Sequence, residues 1–230
     1  MPFTEMTQAF IAGTYYKYLT QIAGENRGQQ IFLHGVRWYG EQRGRRMAQR
    51  VLRDGEDLNF ANYSKYGEWA SSQEMQQANM DNLVEPISLS PDYSYKVIRC
   101  PWHAQFSKMD VPGAGAWYCK DLDASICRGY NPTIRFEVPQ TLHDSDYCIQ
   151  TIYNAGLTKD SDTAKKMEYV KRFDYHCAHL YFTLKKVVCQ VLPNGAQQVL
   201  QGVKEDFVAQ WGQPMWEQLC AFEKTDFEEI

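Results

Sequence analysis

The chain of 230 residues has no long apolar run and no dense basic cluster. A helix that spans a bilayer needs about 20 consecutive apolar residues. Because no segment approaches that length, we predict no membrane partner. The formal net charge is −4, and the most basic segment is RGRRMAQR at 43–50. Since nucleic-acid binding requires a broad basic surface, we also predict no nucleic-acid partner.

The sequence also lacks internal repeats and any linker rich in proline, glycine and serine. We therefore predict one domain over 1–230, with helices in 1–84, a strand-rich core in 85–155 and helices again in 156–230. The first ten residues, MPFTEMTQAF, do not combine a basic start with an apolar core, so they do not match a secretory signal. Seven cysteines in such a chain indicate reduced thiols and a cytoplasmic location.

Apolar residues recur at helical spacing towards both ends of the chain and alternate in the middle. This pattern predicts helices at 4–22, 27–54, 55–82, 101–110, 116–129, 161–192 and 196–222. It predicts strands at 93–100, 133–140 and 146–154, with HDSD as the turn before the last strand. The expected fold class is therefore α+β, with a small antiparallel sheet in the middle of the chain flanked by N- and C-terminal helices.

Glycines mark two places in the helices. Gly40 and Gly44 lie on one stripe of the second helix, where they would let another helix approach closely, within the chain or across a homodimer. Gly113 and Gly115 are expected to break the chain before the helix at 116–129. A polar stripe of the second helix is either a surface ion-pair ladder or a pocket-facing surface. Its members are His34, Arg37, Glu41 and Arg45.

The segment RCPWHAQF at 99–106 raises the possibility of a metal site, because Cys100 and His103 have the C-x-x-H spacing of half a zinc motif. His176 and His179 would complete a set of one cysteine and three histidines. The two halves are more than 70 residues apart, far beyond zinc-finger spacing. We therefore favour a pocket without metal or cofactor, bordered by Cys100 and His103.

Nucleophilic catalysis is the other chemistry that these residues support. The predicted elements place Cys119 in the first turn of a helix and Cys100 at a strand-to-helix junction, where a helix dipole lowers a thiol pKa. The candidate general bases are His103, His176 and His179. Cys119 and Asp123 are four residues apart and share one helix face. Cys148 lies in a predicted strand and is expected to be buried and structural.

Several motifs follow one another in a fixed order between 95 and 182. They are Cys100-Pro101 with Phe106, Cys119 with Asp123, GYNP at 129–132, Phe136, TLHDSDYC at 141–148 and YHCAHLY at 175–181, with weaker similarity in YGEQRGRRMA at 39–48. Together they resemble the L-2-amino-thiazoline-4-carboxylic acid hydrolase family. The chain differs from the family pattern at Asp144-Ser145-Asp146, where the family has Gly-Asp, and at Ile149-Gln150, where it has Asp-Phe.

The resemblance implies hydrolysis of a C–N bond in a small cyclic amidine that carries a carboxylate, by attack of a thiol or an activated water. It implies that a carboxylate, Asp123, clamps the amidine, that an arginine binds the substrate carboxylate, and that a histidine moves the proton. The implied catalytic residues are Cys100, Cys119, Asp123, His176 and His179. The implied substrate-binding residues are His103, Arg37, Arg99, Tyr130, Asn131 and Tyr175, with Arg43 a further candidate for the carboxylate.

Two other functions are compatible with the same fold, because a fold does not fix an activity. One is a biosynthetic enzyme that forms or rearranges a ring, which the altered segment 144–146 favours. The other is a small-molecule-binding or sensor protein without turnover, in which the many aromatic residues line a ligand pocket. A ligand retained unchanged by the purified protein would favour the second.

Overall fold

The computed structural model describes residues 2–230. Two long helices begin the chain, α1 (Glu5–Ala23) and α2 (Glu25–Arg53), and they confirm the first two predicted helices. Gly24 separates them with a φ of +83°, a conformation that glycine adopts readily and other residues rarely do. Both helices pack with the C-terminal helices around the main apolar core.

The single irregular helix predicted at 55–82 is wrong. The segment contains two short helices, α3 (Phe60–Lys65) and α4 (Gln73–Gln77), joined by irregular chain. Each has its own N-cap, because the Asn59 side chain accepts a hydrogen bond from the Asn62 N–H and the Ser72 side chain accepts one from the Met75 N–H. Such caps begin new helices instead of continuing an earlier one.

A four-stranded antiparallel sheet occupies the middle of the chain, in the order β1-β2-β4-β3. Its strands are β1 (Leu83–Ser88), β2 (Tyr93–Arg99), β3 (Phe136–Gln140) and β4 (Cys148–Ile152). The predicted α+β class, with a small sheet between N- and C-terminal helices, is confirmed. The edge strand β1 was not predicted, because it is exposed along almost its whole length and lacks apolar alternation.

Two helices lie between β2 and β3, namely α5 (Pro101–Lys108) and α6 (Pro112–Tyr130). The expected break at Gly113 and Gly115 is wrong, because both glycines lie inside the first turns of α6, which begins with proline at a position that tolerates it. The predicted close approach to α2 occurs within the chain. A Cβ on Gly44 would lie 2.0 Å from the Ile126 carbonyl oxygen, so only glycine fits there.

The C-terminal part contains α7 (Phe173–Val191), α8 (Ala196–Trp211) and α9 (Gln213–Cys220). The helix predicted from 161 begins only at Phe173. The preceding segment 155–172 contains only a short 3₁₀ helix (Met167–Tyr169), and its backbone pairs with Lys65 and Glu68. Gly212, with a φ of +86°, divides the last predicted helix into α8 and α9. Within residues 2–230, no helix combines the length and the apolar character needed to cross a membrane.

Candidate active site

One large pocket of about 830 Å³ lies against a single face of the sheet. Successive strand residues point to opposite faces, so alternate residues of β2, β3 and β4 form its floor. They are Tyr93, Tyr95, Val97, Phe136, Val138, Cys148 and Gln150. The helices α2 and α6 form the walls, and the irregular segment at 157–165 forms part of the rim.

Helical spacing brings the chemical groups of α6 to this pocket. Residues three or four apart share a face, and α6 contributes Tyr118, Cys119, Leu122, Asp123 and Ile126. The predicted shared face of Cys119 and Asp123 is therefore the face that lines the pocket.

Asp123 lies at the junction of helix and sheet. Gln150 Nε2 donates a hydrogen bond to Asp123 Oδ2 at 3.1 Å, and Tyr95 Oη donates one to the side-chain oxygen Gln150 Oε1. Burial raises the pKa of the Asp123 carboxyl, although the Arg43 charge and the Gln150 hydrogen bond oppose this rise. A cationic ligand stabilises the ionised form of such a buried carboxyl, because its charge compensates for the water that burial removed.

Three thiols line the same pocket: Cys100, Cys119 and Cys148. Burial raises the pKa of the Cys100 thiol to about 12 and also raises the pKa values of the other two. The prediction that Cys119 lies in the first turn of a helix is wrong, because α6 begins at Pro112 and Cys119 lies about two turns further on. Cys100 is at the predicted junction, as the N-cap of α5.

His143 stands next to one of these thiols, with Nε2 3.6 Å from Cys119 Sγ. Burial lowers its pKa to about 4, so the imidazole is neutral at pH 7. The sequence placed His143 only in a turn of the TLHDSDYC motif. The nearness of His143 to Cys148 in that motif was the only indication in the sequence that His143 lies near a pocket thiol. Its contact with α6 depends on tertiary structure.

The cationic side of the pocket is formed by Arg43 of α2 and Lys165 of the irregular segment. Arg43 is buried, and its closest acceptors are the Tyr39 hydroxyl at 3.5 Å and a Glu68 oxygen 4.0 Å from Nε. Lys165 is exposed as a residue, but its Nζ donates to the Trp69 carbonyl at 2.6 Å inside the rim, and desolvation there lowers its pKa to about 8. Among residues 2–230, Arg43 has no ion pair closer than this 4.0 Å contact with Glu68, and Lys165 has none.

The two histidines implied as proton carriers lie in the protein interior on α7, behind the pocket wall. His176 Nε2 contacts the Glu68 carbonyl oxygen at 3.1 Å, and His179 Nε2 contacts Gln42 Oε1 at 3.0 Å. Burial lowers the pKa of His176 to about 3 and that of His179 well below its ordinary value. Both imidazoles are therefore neutral at pH 7, and neither lines the pocket.

The two other arginines implied as carboxylate binders lie on the surface. Arg37 forms an ion pair with Asp121, which ties α2 to α6 on their solvent side. The Arg99 guanidinium donates to the Asp81 backbone carbonyl at 2.9 Å and to the Asp81 carboxylate at 3.1 Å. Of the three arginines considered, Arg43 is the one that lines the pocket.

The remaining implied residues do not line the pocket. The His103 ring packs on the His143 ring with centroids 4.7 Å apart. Tyr130 and Asn131 donate to the backbone carbonyls of Asn59 and Leu58, which fastens the end of α6. Tyr175 packs against Phe227 at the C-terminus.

The zinc hypothesis has no structural support within the described chain. Over residues 2–230, no group of three or more histidine, cysteine, aspartate or glutamate side chains is arranged to hold a metal ion. The four residues of the hypothesis are divided between the pocket region and the interior around α7.

The comparisons with known proteins agree with the resemblance noted from the motifs. The search of curated proteins and the search of solved structures each gave no match. The family model described as L-2-amino-thiazoline-4-carboxylic acid hydrolase matches residues 3–148, which is more than half of the chain and includes α1, α2, the thiols of the pocket and Asp123. The chain therefore belongs to the L-2-amino-thiazoline-4-carboxylic acid hydrolase family.

Proposed function

We propose that this protein hydrolyses a small cyclic amidine that carries a carboxylate, as the family name suggests. The observation that supports this most directly is the convergence of opposite charges and thiols in one pocket. Asp123, Arg43 and Cys119 come from two helices, and all three line the same cavity of about 830 Å³.

The amidine end of the substrate binds at Asp123. A protonated cyclic amidine presents N–H donors in a plane, and a carboxylate accepts two such hydrogen bonds at once. Gln150 fixes the orientation of the acceptor by donating to Oδ2 at 3.1 Å. Burial raises the pKa of Asp123. A bound amidinium favours the ionised form of this carboxyl, and the resulting carboxylate binds the amidinium.

The carboxylate end binds at Arg43. The buried guanidinium has donors left over, since its Nε has no hydrogen-bond partner within residues 2–230. A buried, unsatisfied donor is costly, and a ligand carboxylate removes that cost while it also pairs the charge. Lys165 at the rim adds a second positive charge on the route into the pocket.

Hydrolysis takes place at the amidine carbon, which lies between the ring nitrogen and the ring sulfur. The Cys100 and Cys119 thiols line the pocket with Asp123, so a thiol or an activated water attacks the amidine carbon there. Positioning and charge complementarity supply much of the rate enhancement in such enzymes.

The experiment is an assay of 2-amino-thiazoline-4-carboxylate by mass spectrometry, following the addition of one water. Wild type is expected to convert it, and Asp123→Asn to lose at least ~100-fold in kcat/KM, the scale expected for an electrostatic contact in a dry site. Asp121→Asn is the matched control, because Asp121 is two residues away on α6 and pairs with the exposed Arg37. Equal activity of Asp123→Asn and Asp121→Asn would contradict the proposal.

A second candidate is a binding or sensor protein without turnover. The observation that favours it is that burial holds all three pocket thiols protonated. Native mass spectrometry of protein purified from cells distinguishes the two functions. A retained, chemically unchanged ligand and no conversion of the test substrate would favour binding alone.

A further inference from the structure

We infer that Cys119 and His143 form a nucleophile–base pair, in which the thiol attacks the substrate and the imidazole accepts and returns its proton. The inference rests on the proposed function for its substrate. It adds to that function a covalent route and a histidine that is distinct from those implied by the family resemblance.

The Cys119 and His143 side chains lie close enough to interact directly. Cys119 Sγ lines the pocket, and His143 Nε2 lies 3.6 Å behind it. This is a hydrogen-bond distance for a sulfur atom, and nucleophile–base contacts that are long without substrate tighten when substrate binds. Cys100 and Cys148 line the same pocket, but Cys148 Sγ is occupied by accepting a hydrogen bond from the Leu142 N–H at 3.2 Å.

The His143 imidazole occupies space that a side chain at position 115 would fill. A Cβ on Gly115 would lie 2.1 Å from His143 Cε1 and 2.3 Å from Nε2. Gly115 stands one helical turn before Cys119, so the missing side chain opens the space in which the imidazole reaches the thiol. A glycine inside a helix costs about 1 kcal/mol of helix propensity relative to alanine. Here a larger residue would overlap the His143 ring.

The groups around Cys119 disfavour its thiolate form. Cys119 faces Cys100, Cys148 and Asp123, and burial together with these groups raises its pKa. The unassisted thiol is therefore uncharged at pH 7 and needs a base to react.

His143 has its own titratable surroundings. It faces His103 of α5 and Asp144, which lies 3.8 Å from Lys120. Burial and His103 lower its pKa to about 4, which leaves its nitrogen free to accept a proton.

The reaction balances with water as the only co-reactant. As the Sγ–C bond forms at the amidine carbon, the Cys119 proton moves to Nε2. The ring C–N bond then breaks, and His143 gives that proton to the ring nitrogen, which leaves as an amine. Water attacks the same carbon and gives a proton to Nε2. The Sγ–C bond breaks, Sγ takes the proton back from Nε2, and the second proton of the water passes to the released amine as the product carbonyl forms. The intermediate has the mass of the protein plus the whole substrate.

The test needs no substrate. Iodoacetamide is added to the full protein, and peptide mass spectrometry follows alkylation at each cysteine. In His143→Ala, the rate at Cys119 is expected to fall by ~10-fold or more, because a positioned base contributes at least that much. The exposed Cys189 is the control within the chain and keeps its rate. His34→Ala, at an exposed histidine of α2, is the matched histidine control and should change the rate by less than ~3-fold.

Gly115→Ala provides a second variant in case His143→Ala does not fold, as judged by circular dichroism. The added Cβ displaces the imidazole, so Cys119 alkylation should slow while His143 is still present. If Cys119 reacts at the wild-type rate in folded His143→Ala or Gly115→Ala, the pair is overturned. If alkylation depends on His143 but no cyclic amidine is opened, the pair stands and the proposed function fails. If turnover needs Asp123 but alkylation of Cys119 does not depend on His143, the proposed function stands and the pair fails.

Discussion

Gln150 Nε2 donates a hydrogen bond to Asp123 Oδ2 at 3.1 Å, and this contact links the sheet to α6 at the pocket floor. The amide can make this bond only because its own carbonyl oxygen accepts from Tyr95, which fixes which end of the amide points at the carboxyl. The order Tyr95–Gln150–Asp123 therefore presents the free edge of the carboxylate to the cavity.

The first prediction concerns Gln150→Leu, which keeps the volume and removes the donor. The hydrogen bond to Gln150 lowers the pKa of Asp123 against the effect of burial. Without it the pKa rises further, so the acidic limb of the kcat/KM–pH profile should move to higher pH. Gln201→Leu, on the exposed surface of α8, should leave the profile unchanged. An unmoved acidic limb in Gln150→Leu would show that Asp123 does not titrate in the reaction.

The second prediction concerns the stability of Asp123→Asn. Burial raises the pKa of Asp123 in the folded protein, so the folded state favours the protonated carboxyl. That contribution is fully present below the ordinary pKa of aspartate and is lost as the pH rises through the folded-state pKa. Asparagine has no such dependence. Urea unfolding should therefore show Asp123→Asn gaining stability relative to wild type as the pH is raised from acidic to neutral.

A loss of stability in Asp123→Asn at neutral pH would mean that the charged carboxylate holds the fold together, and the site would then be structural. Asp121→Asn serves again as control, because that carboxylate is paired with an exposed arginine. It should change the free energy of unfolding by less than about 1 kcal/mol.

The third prediction concerns Arg43→Lys. A planar guanidinium binds a carboxylate through two hydrogen bonds, and a lysine ammonium does not reproduce this geometry. For a carboxylated substrate, KM should rise by ~10- to 100-fold, the effect of one hydrogen bond to a charged group. An uncharged analogue with an ester in place of the carboxylate should lose much less. Arg37→Lys on the solvent side of α2 should behave as wild type. Equal losses for acid and ester would remove Arg43 from the carboxylate site.

The fourth prediction concerns Glu68, which is fully buried and binds Arg46 at 2.6 and 2.9 Å and Arg50 at 2.7 Å. Burial opposes its ionisation, but these arginines and Arg43 lower its pKa to about 2. Glu68→Gln leaves buried cations without their partner and should cost about 3–5 kcal/mol in urea unfolding. Glu41→Gln, at an exposed ion pair with Arg128, should cost less than about 1 kcal/mol.

The pH dependence follows from the same shift in Glu68. Because its folded-state pKa is depressed, its contribution is present above the ordinary pKa of glutamate and is lost as the pH falls through about 2. Wild type should lose stability over that acidic interval more steeply than Glu68→Gln. Parallel curves for the two proteins would contradict the assignment of a charged Glu68.

Local pattern was enough for part of this fold. The helical stripe of Gly40 and Gly44 predicted a close helix contact, and α6 makes that contact within the chain. The i,i+4 spacing of Cys119 and Asp123 predicted a shared face, which is the face in the pocket. Both inferences depend only on backbone geometry, which the sequence carries directly.

Other features depend on groups that are distant in sequence. His143 meets Cys119 only because β4 returns along β2 and leaves the preceding turn beside α6. His176 and His179 are three residues apart on α7, but their side chains meet Glu68 and Gln42 in the interior. A one-dimensional pattern identifies the face of a helix and does not identify what packs against it.

The central claim, that this pocket opens a carboxylated cyclic amidine, is tested most directly by turnover in water enriched in oxygen-18. Wild type and Asp123→Asn are each incubated with 2-amino-thiazoline-4-carboxylate, and the products are weighed by mass spectrometry. The account predicts that wild type yields a ring-opened product with one oxygen-18 atom from water and that folded Asp123→Asn yields at least ~100-fold less. Intact substrate recovered from folded wild type, or equal product from both proteins, would contradict it.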